Sequence, residues 1–139
     1  VTAPELVGPW TVHGRPTEEW FENAQLMKFD GRWRMLVTAR ETEDRMHLPY
    51  LLTMADGDGT RPEDFAKFEN FRLLAPPLEG FNTHDRANAA FLADWREIDG
   101  HFYLLYAGST QGRSHAGRGD NRLGLARSED LRTWSVPGE

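Results

Sequence analysis

The chain has 139 residues and a formal net charge of −6, the length of one domain and enough to bury a core of its own. The acidic balance excludes a nucleic-acid groove, which needs a basic face against phosphate. The absence of cysteine excludes disulfide frameworks, zinc–thiolate sites and a cysteine nucleophile. The longest apolar runs, LLTMA and FYLLYAG, fall far below the roughly 20 residues that span a bilayer, so no membrane partner is expected. No basic-then-apolar leader is visible. Val1 in place of Met leads us to expect a processed start or an excerpt of a longer chain, and the compartment stays open between cytoplasmic and secreted after processing.

In chain order, VGPWTVHGRP (7–16) reads as the outer strand of a preceding unit. NAQLMKFDGRWRMLVTAR (23–40) is a hairpin. Its turn is Asp30-Gly31, because Asp-Gly between two apolar runs supplies the positive φ angles of a tight primed turn. In the return strand Trp33, Met35 and Val37 alternate with Arg32, Arg34 and Leu36. PYLLTMAD (49–56) and FRLLAPP (71–77) read as third and fourth strands. Between them DGDGT (56–60) is a turn; a calcium loop would want an acid at its twelfth position, where Lys67 stands. TRPEDFAKFENF (60–71) has room for one short helical turn.

NAAFLADWREIDGHFYLLYAGS (88–109) repeats the hairpin, with Asp99-Gly100 as its turn. Its return strand is apolar on both faces, Phe102, Leu104 and Tyr106 on one and Tyr103 and Leu105 on the other, so it belongs inside a stack of sheets. The segment STQGRSHAGRGDN (109–121) is long for a connection. Arg113, His115 and Arg118, with Arg122 just beyond, suit it to closing over an anionic or hydroxyl-rich ligand. RLGLARS (122–128) and TWSVPG (133–138) supply the third and fourth strands of this second copy. Between them Ser128 is placed to cap a sharp turn, Glu129 and Asp130 stay solvated, and Leu131 and Trp134 plug the gap to the next unit.

Four antiparallel strands repeated at a spacing of about 65 residues read as β-propeller blades. We therefore expect an all-β domain over 1–139, with blade-like repeats at about 20–78 and 85–139 preceded by the strand at 7–16. Two blades leave raw edges. The chain should therefore pair with copies of itself as a homo-oligomer, with a partner chain, or with the missing blades of a larger chain.

The run FYLLYAGS…NRLGLARSEDLRTW resembles the blade pattern of the five-bladed β-propeller glycoside hydrolases, the clan of invertases, levanases and arabinanases. WFENAQLMKFDGRWRMLVT is similar to the invertase-type segment in which Trp-Glu-Cys-Pro precedes an apolar strand and a Gly-Arg-Trp turn. The resemblance implies a carbohydrate ligand, fructosyl or arabinosyl substrates and no cofactor or metal. It also implies that Glu22 is the general acid/base. The family's Cys-Pro is Asn23-Ala24 here, and its Asn-Asp-Pro-Asn-Gly and Arg-Asp-Pro segments have no counterpart; Asp85-Arg86 within THDRANA is the nearest approach to the latter.

Glycosidases work with two carboxyl groups across the scissile bond. In a propeller the residues opening the first strand of each blade meet at one funnel, and Glu22 and Asp85 occupy such positions, one per repeat. Asp85 is then the second carboxylate, with Arg86 orienting it or binding hydroxyls. Trp20, Phe21, Asn23, His84 and Arg113 are candidate substrate contacts. The plainer alternatives are a solvated Glu22, a local Asp85–Arg86 ion pair, core aromatics and a polar loop histidine. An alternative function from another class stands beside the enzyme: a non-catalytic carbohydrate-binding or assembly module derived from such a propeller.

Overall fold

A computed structural model describes residues 1–17, 21–40, 47–110 and 121–138. It is all-β, built from two antiparallel sheets. The first has four strands in sequential order: β1 (Glu22–Phe29), β2 (Arg32–Arg40), β3 (His47–Met54) and β4 (Phe68–Leu73). The second has three: β5 (Asp85–Trp95), β6 (His101–Ser109) and β7 (Arg122–Ser128). A fourth member of the second sheet is reduced to one bridge between Arg127 and Ser135, since Pro137, two residues on, has no N–H to continue the ladder.

The first hairpin turns as its sequence requires, with Asp30 at φ 52° and Gly31 at φ 70°. The second does not use a two-residue Asp99-Gly100 turn. Its last ladder pair is Trp95–His101, and the residues between form one helical turn, α1 (Arg96–Asp99), ended by Gly100 at φ 83°. Local polar bonds favour this shape: Asp94 Oδ1 accepts the Arg96 N–H and Asp99 Oδ1 accepts the His101 N–H. Nor do residues 7–16 form a strand. Gly8 at φ 95° and Gly14 at φ 145° break the extended run, and the first segment keeps a single bridge, Thr2–Thr11. Residues 62–66 form a short 3-10 helix, within the stretch that the sequence marks for one helical turn.

The sheets stack face to face. Leu36 and Leu51 of the first meet Leu92, Phe102, Leu104, Tyr106 and Ala126 of the second in one buried cluster. Tyr106 lies opposite Gly124 in the β6–β7 ladder, where a Cβ would fall 2.4 Å from its ring, so the ring takes the space a side chain would fill. Leu131 and Trp134 fill a gap between units as their position suggests, but it is the gap toward the first sheet and not toward a following unit. Ser128 holds their turn by accepting the Leu131 N–H at 2.9 Å, while Asp130 Oδ1 accepts the N–H groups of Thr133 and Arg132. The other face of the first sheet buries Met35, Val37, Leu52, Met54 and Phe68, with Phe21, Trp33, Tyr50 and Phe65 packed against them.

Two polar links tie the sheets. The amide of Gln25 donates to the Leu92 carbonyl and accepts the Leu92 N–H, both at 2.9 Å. At the hairpin ends Arg96 binds Asp94 through Nε and Nη2 and reaches Asp30 of the first turn at 2.9 Å, its guanidinium lying over the Phe102 ring. The hydrogen bonds from Arg96 hold the Asp94 carboxyl below the ordinary carboxylate range, and the Thr133 and Arg132 amides do the same for Asp130.

Two predictions follow from these links. Gln25→Leu strands a donor and an acceptor of Leu92, so it is expected to cost about 1–3 kcal/mol in urea unfolding, whereas Gln25→Glu should cost at least as much by setting a carboxylate against the Leu92 carbonyl. Lowered aspartate values mean that the folded state binds fewer protons than the unfolded chain. Their stabilisation is complete above an unfolded pKa of about 3.9 and is lost as pH falls through the lowered folded values. The urea midpoint should therefore drop between pH 5 and pH 3, and Asp130→Asn should flatten that drop.

Candidate active site

Glu22 and Asp85 open β1 and β5, and irregular backbone follows each. Glu22 pairs with Thr38, and the β1–β2 register slips before Gln25, with Asn23 at φ 54°. Asp85 pairs with Ser109; the β5–β6 register slips on both sides of Asn88, with Ala89 at φ 46°. Such bulges re-aim a strand's side chains at its end. A left-handed residue bearing a Cβ costs about 1–2 kcal/mol, which the flanking ladders must hold in place.

The two carboxylates have opposite surroundings. Glu22 is exposed and makes no hydrogen bond or ion pair with the described residues. Asp85 is 2% exposed. Its Oδ1 lies 2.9 Å from Nδ1 of His47, itself buried, and its Oδ2 accepts the Ser109 hydroxyl at 3.3 Å. The contact joins a group that can donate to one that can accept, so it satisfies one nitrogen of a buried ring and one oxygen of a buried carboxyl together. His47 opens β3 of the first sheet while Asp85 and Ser109 belong to the second, so the pair also fastens the sheets together at this end.

Further polar groups gather beside it. The His84 N–H donates to the Ser109 carbonyl, and His84 Nε2 is buried without a hydrogen-bond partner among the described residues. Thr38 Oγ1, from the residue paired with Glu22, is buried and unpartnered in the same sense. Below them the Tyr106 hydroxyl donates to Glu79 at 2.6 Å; burial and that bond push the phenol's pKa well up. Among the described residues no three His, Asp or Glu side chains converge as metal ligands, and no helix is long and apolar enough to cross a membrane.

The remaining candidates fall into place as follows. Arg86 does not turn to Asp85: its Nε and Nη2 both donate to the Pro76 carbonyl, a bond that shapes the loop before β5. Asn82 completes that loop by bonding Glu79, Pro77 and the Arg86 carbonyl. Asn23 is exposed in the β1 bulge, and Phe21 is half-buried against the outer face of the first sheet. Phe81 stacks on Tyr106. Trp20 and Arg113, with most of the 109–121 segment, lie outside the described residues.

His47 and Ser109 are the site residues that sequence reasoning missed. Counting back from the hairpin turn would reach Ser109 but for the two slips in β5. His47 opens a strand just after Glu41, Glu43 and Asp44 in sequence, so nothing local singles out Asp85, 38 residues on, as its partner.

No family model matches the chain, and no curated protein matches it in sequence. Among solved structures it is similar to a putative glycoside hydrolase from Parabacteroides distasonis ATCC 8503, with a TM-score of 0.61 and 19% sequence identity. The match covers 97% of this chain and 40% of that one, so the chain spans two fifths of its neighbour's length. The likeness is one of fold.

Proposed function

We propose that this is a glycoside hydrolase-like protein acting on fructosyl or arabinosyl bonds, with Glu22 as acid/base. The observation that supports the reading is that β1 and β5 each open on a carboxylate, one exposed and one buried and fixed. An exposed Glu22 is free to give a proton to a leaving oxygen and later take one from water. Asp85, held by His47 and Ser109, acts as the second carboxylate through a fixed negative charge, of the kind that favours an oxocarbenium-like transition state. The fold likeness to a solved protein described as a glycoside hydrolase supports the same class.

A second reading, a non-catalytic carbohydrate-binding or assembly module, is favoured by one observation. Asp85 is almost fully withdrawn from solvent, where a nucleophile has to be reached.

Glu22→Gln separates the two. With p-nitrophenyl α-L-arabinofuranoside and fructo-oligosaccharides as probes, it should abolish turnover and leave calorimetric binding intact; turnover unchanged by the substitution would sink the first reading. Binding by the wild-type chain without turnover establishes the second. In either case His47→Ala removes one partner of a buried pair and should cost about 3 kcal/mol in urea unfolding.

A further inference from the structure

The two faces of the second sheet are chemically alike, but among the described residues only one of them is covered. On the inner face Leu92, Leu104 and Ala126 form a cross-strand row against the first sheet. On the outer face the ladders line up Phe91, Leu105 and Leu125, flanked by Ala93 beside Tyr103 and by Ala107 beside Leu123, with Trp95 at the end of β5. These side chains stay in water: Phe91 is 53% exposed, Trp95 49%, Leu105 45%, Leu123 84% and Leu125 38%. They line a shallow groove of about 570 Å³. Arg127 is the charged member of these rows, at one corner, and no carboxylate stands among them.

We propose that this face is the contact surface between two copies of the chain, packed sheet on sheet about a two-fold axis. What fits an aliphatic and aromatic pleated face is another such face, as the stacking within the chain shows. In a second copy the outer face of the first sheet is not on offer, because Met35, Val37, Leu52, Met54 and Phe68 are already buried there. The face left to meet the second sheet's outer side is its own counterpart, which makes the contact isologous and closed.

The area suffices. The five exposed side chains leave roughly 500 Å² of apolar surface in water, a large patch for a monomer. Two copies would withdraw about 1,000 Å² through these residues alone, which reaches the range of specific interfaces before any rim is counted. The rows themselves carry no acid, and the acid that adjoins them, Asp99, is bonded to the Tyr103 hydroxyl at the edge of the face.

The test is light scattering behind a sizing column, from micromolar protein upward, on the wild-type chain, on Leu105→Lys at the centre of the face and on Leu78→Lys as a control. Leu78 is 60% exposed in the loop that precedes β5, away from the face. The expected result is a discrete species of twice 15.9 kDa for wild type and Leu78→Lys. Leu105→Lys should dissociate at least about 30-fold more readily, with an unchanged far-ultraviolet circular dichroism spectrum. A monomeric wild type, a polydisperse aggregate, or a dimer indifferent to Leu105→Lys would each overturn the proposal. None of these readouts involves sugar or turnover, so the interface stands or falls separately from the proposed function.

Discussion

The side-chain amide of Gln25 does for the free edge of β5 what a neighbouring strand would do. It takes the N–H and C=O of Leu92 at 2.9 Å each, groups that face away from β6 and would otherwise meet only apolar surroundings. An amide is the one neutral side-chain group that can donate and accept side by side in this way. The register of the two sheets follows from it. With Gln25 locked to Leu92, Leu36 and Leu51 come to rest on Leu104 and its neighbours, the Asp30 turn reaches Arg96, and β3 brings His47 to Asp85. Apolar contact alone is non-directional and would let one sheet slide over the other. Three polar links at three heights do not.

Those links also divide the labour along the interface. The Arg96 end is a charged clamp over aromatic rings, partly open to water, where ion pairing is worth little unless the geometry is bidentate, as it is to Asp94. The His47 end is buried, and there each polar group has to be matched or it becomes expensive. That is why the bulges sit at this end. A regular ladder would set the side chain of Asp85 by simple alternation. Two register slips instead re-aim it toward His47 of the other sheet, while Ser109, its own ladder partner, bonds it from β6. Glu22 follows a single slip and stays at the rim. The contrast between the two carboxylates is thus a difference in backbone irregularity before it is one in chemistry.

How much of this was legible follows from the range of the forces involved. The strand–turn–strand repeats, the Asp30-Gly31 turn, the span of β7 and the Ser128 cap all depend on neighbours a few residues away, and local sequence specified them. Where longer competition decided, the reading slipped. The second hairpin prefers a helical turn because Asp94 and Asp99 satisfy local N–H groups. Residues 7–16 have strand composition, but two left-handed glycines keep them out of a ladder. β4 ends at Leu73, short of Pro76 and Pro77, which have no N–H to offer. Arg86 looked like a partner for the acid beside it, but neighbours along a strand point to opposite faces, and its guanidinium goes to Pro76. Trp20 and Arg113 fall outside the described residues, so the structure adds nothing to their reading.

A sheet with two apolar faces is a demand as much as a structure. The inner face of the second sheet is met within the chain; the outer one presents Phe91, Leu105 and Leu125 in a single row that no described residue covers. The same stacking that fixes the site generates this surface, because a strand with both faces apolar can be neutralised only by a layer on each side. The site and the surface share an element. Asp85 opens the strand that also carries Phe91 and Trp95, so the bulges that aim a buried carboxylate and the row of exposed rings lie on one run of backbone, β5.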